Sequence, residues 1–231
     1  MIVMPANNTH WLVHYWAGRY GNLGHLYSPD RYTEPMPHLP YVLDNGAWGA
    51  FKNGLEWDPV KFAKHFQRYA SKSIRPQWVV CPDVVGDAAK TFELWSLWHS
   101  RFAWENVPVF LAVQDGMTVE DVERLAISPD GIFVGGSTEW KWQTARHWCA
   151  NFKRVHVARV NGLRTLKLCK EWGAESCDGT GWFMGRSAQL VHLGEFLSEQ
   201  AGIHEPMEVE RVVYESRLKN KVHGCLPLEV A

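Results

Sequence analysis

Short apolar runs alternating with longer amphipathic stretches constrain this chain more than any other feature. From residue 41 onward the runs are YVLD (41–44), WVVCPD (78–83), VPVFLAVQ (107–114), GIFVGG (131–136), RVHVARV (154–160) and ESCDGT (175–180). Between them lie helix candidates at 58–72, 87–104, 118–127, 139–152 and 162–172, and a final one covers 186–201. The punctuation agrees. Asp58-Pro59 puts Pro at a first helical position. Asp87 and Thr118 are N-cap types, and Gly173 is a C-terminal stop. Strand–helix alternation of this kind implies right-handed parallel βαβ units.

The first forty residues are less regular. MIVMP (1–5) and WLVHYW (11–16) read as two further strands. Counting both gives eight, the number that closes a (β/α)8 TIM barrel. Only residues 6–10 separate them, too few for a helical crossover, so the barrel is expected to be irregular at its N-terminal strands. Segment 17–40 is rich in Gly, Pro, Tyr and His and reads as a long loop, the kind that acts as a lid or clamp. One catalytic barrel domain is expected over 1–201, followed by a C-terminal helical tail over 202–231. The full length of 231 residues suits one such barrel, which often runs to about 250.

Composition narrows the partners. A net charge of −1 gives no global basic field, though a local basic patch stays open. The five cysteines, 81, 149, 169, 177 and 225, contain no CxC or CxxC pair. That excludes a zinc knuckle or redox motif by spacing, and the odd count argues for a reduced, cytoplasmic setting. The N-terminus lacks a basic, apolar leader pattern. No apolar run approaches the roughly 18 residues of a membrane span, so a soluble protein is expected. The 13 tryptophans are read mainly as packing, with some available to stack on bases.

In parallel barrels the chemistry sits at the C-terminal ends of the strands. Five positions there stand out: Asp44 in LDNGAW, Asp83 in VCPDVVGD, Gln114 in LAVQDG, Gly135-Gly136-Ser137 in FVGGS, and Asp178 in SCDGTG. Strand-end aspartates also serve as caps and turn formers. Here the small neighbours Asn45-Gly46 and Gly179 open space for a close ligand.

These segments, in this order, resemble the tRNA-guanine transglycosylase superfamily. LDNGAW is similar to its first aspartate segment, CPDVVGD to its second, AVQDG to its VQG segment, FVGGS to its LGG turn, and SCDGT to the segment of its nucleophilic aspartate. The likeness runs over roughly 1–185. It is greater to the branch that exchanges guanine for 7-deazaguanine derivatives in the DNA of phages and bacteria. The resemblance implies a glycosyltransferase with no cofactor. Asp178 would attack the sugar C1′ and form a covalent glycosyl-enzyme. Asp44 would move protons on the leaving and entering bases. Asp83 would accept from the purine N1–H and amino group, and Gln114 would donate to O6. Gly135 and Gly136 would offer backbone groups to the base or its 7-substituent. Asn45 stands where the tRNA enzymes have Ser, and Trp48 where they have a Phe able to stack on the base.

The departures point to DNA. The tRNA enzymes carry a Cys-x-Cys-x2-Cys zinc set with a distant His, and this sequence has only His223 and Cys225 near its end. No structural zinc is expected. The partners implied are guanine sites in DNA and a free 7-deazaguanine base. A paired base must be extruded to reach a barrel mouth. Phosphate contacts would then come from Arg19, Lys52, Lys141, Arg159, Arg164 and Arg186, with Arg159 and Asn161 the favoured pair. His14 and Trp16 are further pocket candidates. Two other classes stay open: a small-molecule barrel enzyme holding phosphate at FVGGS, and an inactive barrel that binds nucleic acid or protein.

Overall fold

The computed structural model describes residues 1–8, 10–103, 105–184, 187–203 and 211. Eight parallel strands follow in chain order: β1 (Ile2–Pro5), β2 (His25–Tyr27), β3 (Tyr41–Leu43), β4 (Val79–Val80), β5 (Val109–Val113), β6 (Gly131–Val134), β7 (Val155–Val157) and β8 (Ser176–Gly179). From β2 to β8 each strand pairs with the next, and β8 pairs with β1. Between β1 and β2 the ring is completed by isolated parallel bridges, Val3 with Leu23 and Ala6 with Leu26. Around it lie α1 (Trp11–Tyr20), α2 (Ala47–Lys52), α3 (Pro59–Ala70), α4 (Ala88–Ala103), α5 (Val119–Glu123), α6 (Thr138–Asn151), α7 (Leu163–Glu171), α8 (Gly181–Met184) and α9 (Ser187–Ala201). The chain is a (β/α)8 barrel with an irregular seam at its first strands.

Strand alternation sorts the core into two layers. Met4, Leu26, Val42, Trp78, Val80, Phe110 and Ala112 fill the barrel interior. Trp78 and Phe110 stack there with ring centroids 4.3 Å apart. Gly131 makes room for Phe110, since a Cβ at that position would lie 2.4 Å from its ring. The second layer lies between strands and helices and takes Trp16, Trp95, Trp148 and Trp182, all essentially inaccessible.

The start of the barrel differs from the sequence reading. WLVHYW is not a strand but the first part of α1. Its buried residues, Leu12, Val13, Trp16 and Tyr20, fall on one helical face. The missing strand is β2, inside the segment read as a loop. With these two changes β1-α1-β2 becomes an ordinary crossover. The irregularity moves to residues 28–40, which join β2 to β3 without a helix. Tyr69 on α3 pins that connection, accepting from Thr33 N–H at 3.1 Å and donating to Thr33 C=O at 2.8 Å.

Most of the later boundaries agree within one or two residues. Asp58 caps α3 by accepting from Val60 and Lys61, Thr118 and Asp121 form a capping box on α5, and Gly173 takes φ +83° after α7. Helix α5 stops at Glu123 rather than 127, with Arg124 as its C-cap. Helices α2 and α8 fall where the sequence pattern predicts no helix. Of the expected tail, only 202, 203 and 211 belong to the described residues. Cys81, Cys149, Cys169 and Cys177 are free thiols. Among the described residues no helix is long and apolar enough to cross a membrane.

Candidate active site

The inward positions of the strands continue past their C-terminal ends into polar residues. Val42 faces inward on β3, so two residues on Asp44 does too; Ala112 leads likewise to Gln114, and Ser176 to Asp178. Asp83 follows β4 after Cys81-Pro82. These four side chains line one open pocket with a cavity volume of about 70 Å³. Asn45, Trp48, Gly135, Gly136 and Arg159 also line it. The strand-end pattern read from sequence therefore marks a single cavity. Asn161, Lys52 and Arg164 are not part of its wall.

Asp83 is the best-held carboxylate. Asn45 Nδ2 donates to its Oδ1 at 2.6 Å, and Gln114 Nε2 donates to its Oδ2 at 2.6 Å. Both donors are themselves fixed. Asn45 Nδ2 also reaches Cys81 C=O, and Asn45 Oδ1 accepts from Ala47 N–H, both at 2.8 Å. Gln114 Oε1 accepts from Gly86 N–H at 3.0 Å and Gly136 N–H at 3.2 Å, which settles which end of the amide is the donor. Gln114 thus donates one N–H to Asp83 and accepts two backbone N–H groups on its oxygen. Burial pushes the Asp83 carboxyl up to about 6, although the Asn45 hydrogen bond and Arg159 pull the other way.

Asp178 is held by one oxygen. His156 Nε2 and Arg159 N–H both lie 3.0 Å from its Oδ1. Arg159 has φ +56°, a left-handed backbone that aims its amide at the carboxylate. His156 is fully buried and faces the barrel interior. Its Nδ1 lies 2.8 Å from Ser176 Oγ. The sequence reading missed His156. Its one signal was a polar residue among valines on the inward parity of β7.

Asp44 carries the largest electrostatic strain. It lines the pocket and is partly accessible to solvent. Burial, then the nearby Asp178 and Asp83, push its carboxyl up to about 7, against backbone N–H donors of Asn45 and Gly46. A carboxyl balanced between its two protonation states near neutral pH suits an acid–base role.

Arg159 is the cation of the pocket wall. Its guanidinium lies 3.9 Å from the centroid of the Trp48 ring and donates to the carbonyls of Gly135 and Gly136. Trp48 is 40% exposed. Gly135 and Gly136 line the pocket, and their backbone groups already have partners within the protein. The Gly135 and Gly136 N–H groups serve Val113 C=O and Gln114, and their carbonyls hold Arg159. Gly136 takes φ +61°, and a Cβ there would press on Trp140 and Asp115.

Several other expected residues lie elsewhere. Lys141 is buried and donates to Ala158 C=O at 2.6 Å, so it braces the end of β7 rather than meeting phosphate. Arg19 lies in the last turn of α1, at the face where strands begin, a consequence of 11–20 being helical. His14 pairs with His38 at 3.2 Å, and Trp16 packs beneath α1; neither lines the pocket. Asn161 Oδ1 accepts from Gly181 N–H at 2.8 Å, at the start of α8. Arg186, His223 and Cys225 fall outside the described residues. Among the described residues no group of three His, Cys, Asp or Glu is placed to hold a metal.

No protein-family model matches the chain, and no curated protein matches it. Among solved structures it is similar to tryptophan synthase from M. tuberculosis, in an aminoacrylate- and BRD0059-bound form. The two are 9% identical over 87% of this chain and 91% of that one, with a TM-score of 0.48.

Proposed function

We propose that this chain is a transglycosylase that exchanges guanine in DNA for a 7-deazaguanine derivative through a covalent aspartyl-sugar intermediate. The observation that carries the reading is the convergence of Asp44, Asp83, Gln114 and Asp178 from four strand ends on one pocket, with the Asp44 carboxyl pushed up to about 7. Base exchange needs three jobs from such a pocket, and each has a suited side chain. Asp83, fixed by Asn45 and Gln114, presents spare lone pairs to the N1–H and amino group of the purine. The remaining N–H of Gln114 would donate to O6. Trp48 offers a ring face to the base once Arg159 shifts from it.

In the first half-reaction Asp178 Oδ2 forms a bond to C1′ as the C1′–N9 bond breaks. The electron pair leaves with guanine, and Asp44 supplies the proton that neutralises it. In the second half the incoming base gives a proton to Asp44, attacks C1′ through N9 and releases Asp178. Atoms and charge balance with no cofactor. DNA is preferred over tRNA because the sequence lacks the cysteine spacing of the tRNA enzymes.

A phosphate-holding small-molecule enzyme is the weaker alternative for a specific reason. The anion position at the N-terminus of α6 is filled by the chain itself. Asp115 accepts from Ser137 N–H at 2.6 Å and from Ser137 Oγ.

The test is incorporation of labelled guanine into guanine-containing single-stranded DNA, duplex DNA and tRNA. The proposal predicts incorporation into DNA that is lost in Asp178→Ala. Incorporation into tRNA alone would refute the polymer, and none into any substrate would refute the activity.

A further inference from the structure

The barrel interior is apolar and aromatic, yet β7 buries a histidine in it. His156 is 0% exposed. The Phe133 ring stacks on it with centroids 5.0 Å apart and planes 8° apart, and Trp78 meets it edge-on at 4.9 Å. These rings leave the imidazole no freedom to turn. Phe133 also lines the pocket, so His156 lies beneath its floor. In the parallel register His156 sits opposite Ser176, and Asp178 is the next inward residue on β8. Three polar side chains thus form one line: Ser176 Oγ to His156 Nδ1 at 2.8 Å, and His156 Nε2 to Asp178 Oδ1 at 3.0 Å.

The chemistry of the line fixes one proton, the one on Nε2. An ionised carboxylate only accepts, so Nε2 carries the hydrogen. In the neutral ring Nδ1 then accepts, and the Ser176 hydroxyl is its donor. A buried histidine that merely filled space would cost desolvation that Phe or Leu would avoid. This one uses Nε2 on the Asp178 carboxylate and Nδ1 on Ser176 Oγ.

We infer that His156, backed by Ser176, is a positioning residue that holds Asp178 by Oδ1 so that Oδ2 faces the reacting sugar carbon. The kinetic part of this inference rests on the transglycosylase reading; the protonation pattern does not. Together with Arg159 N–H, His156 supplies two donors to the oxygen that becomes the ester carbonyl in the covalent intermediate. When the second base displaces the sugar, the same two donors receive the negative charge returning to the carboxylate. No proton leaves His156 at any stage.

The test uses three variants of the full chain and two readouts. Nitrogen-15 NMR of histidine-labelled protein is expected to show the His156 hydrogen on Nε2, with a mixture of tautomers in Ser176→Ala. A Nδ1–H tautomer in the wild type overturns the inference whether or not the protein exchanges bases. In guanine exchange, His156→Phe keeps the ring packing but removes both hydrogen bonds. It is expected to lower kcat about 100-fold, while KM for the free base moves less than about threefold. His156→Gln places an amide near Nε2 and is expected to recover about tenfold of that loss. Ser176→Ala, the mildest change, is expected to fall between wild type and His156→Phe. Equal kcat in wild type and all three variants overturns the inference. So does an equal loss in His156→Gln and His156→Phe, which marks His156 as core packing alone. A wild type with the expected tautomer and no exchange refutes the transglycosylase reading and leaves the hydrogen-bonded line standing.

Discussion

Replacing Asp44 with Asn is expected to stabilise the fold while abolishing exchange. The Asp44 carboxyl moves from its ordinary 3.8 up to about 7, chiefly through burial and then through Asp178 and Asp83. The folded state therefore holds the Asp44 proton more tightly than the unfolded chain does. Below pH 3.8 both states are protonated, and the carboxyl costs nothing. Between 3.8 and about 7 the unfolded chain gives up the proton first, so stability falls as pH rises; above about 7 the cost is constant. At 1.36 kcal/mol per pH unit, that cost is about 4 kcal/mol, and solvent at the pocket mouth reduces it to about 2–4 kcal/mol. The substituted carboxamide keeps an oxygen for the Asn45 and Gly46 N–H groups without the charge. Thermal melts of wild type and Asp44→Asn at several pH values measure the effect. A gain of about 4–16 °C is expected at pH 8, shrinking toward zero near pH 4. Equal differences at pH 5 and pH 8, or a less stable variant at pH 8, would refute the picture of a carboxylate crowded by two others.

Three further outcomes follow from the same geometry. Trp48→Ala is expected to raise KM for the free base by about 5–100-fold, the worth of one stacked base, with Trp48→Phe close to wild type in the same titration. Gly136→Ala is expected to cost about 1–3 kcal/mol in chemical denaturation, because φ +61° and the Asp115 and Trp140 contacts leave no room for a Cβ. His25 and His65 are buried and pushed down to about 4. The unfolded chain therefore takes up their protons first as pH drops below 6.5, and stability falls by up to about 3 kcal/mol for each until pH 4. A melting-temperature difference between wild type and His65→Gln that stays constant from pH 6.5 to 4 would contradict the burial of His65 as a neutral ring.

The later two-thirds of the barrel was legible in sequence because each strand there is bounded by caps and followed by an amphipathic helix. The start was not, for two physical reasons. WLVHYW is apolar on most positions, so a six-residue window does not separate period 2 from period 3.6. Strand β2 is only three residues long and begins with a histidine, His25, whose burial nothing local announces. The pocket carboxylates were legible because strand parity carries through to the loop: Asp44, Gln114 and Asp178 each lie two residues past an inward side chain. What parity does not reveal is how polar groups are shared. The backbone of Gly135 and Gly136 is engaged by Val113, Gln114 and Arg159, which strand parity does not show. Lys141 looked like a surface cation, but the carbonyls at the end of β7 draw it inward. His156 required the pairing of β7 with β8 before its tie to Asp178 was visible.

The central claim is that Asp178 carries the sugar. The most direct measurement is mass mapping of the protein after reaction with a guanine-containing DNA oligonucleotide, quenched in acid before a second base is added. The account predicts a covalent DNA adduct on the peptide containing Asp178, absent in Asp178→Asn and discharged when free base is supplied before the quench. An adduct on Asp44, or base exchange that persists in Asp178→Asn, would contradict it.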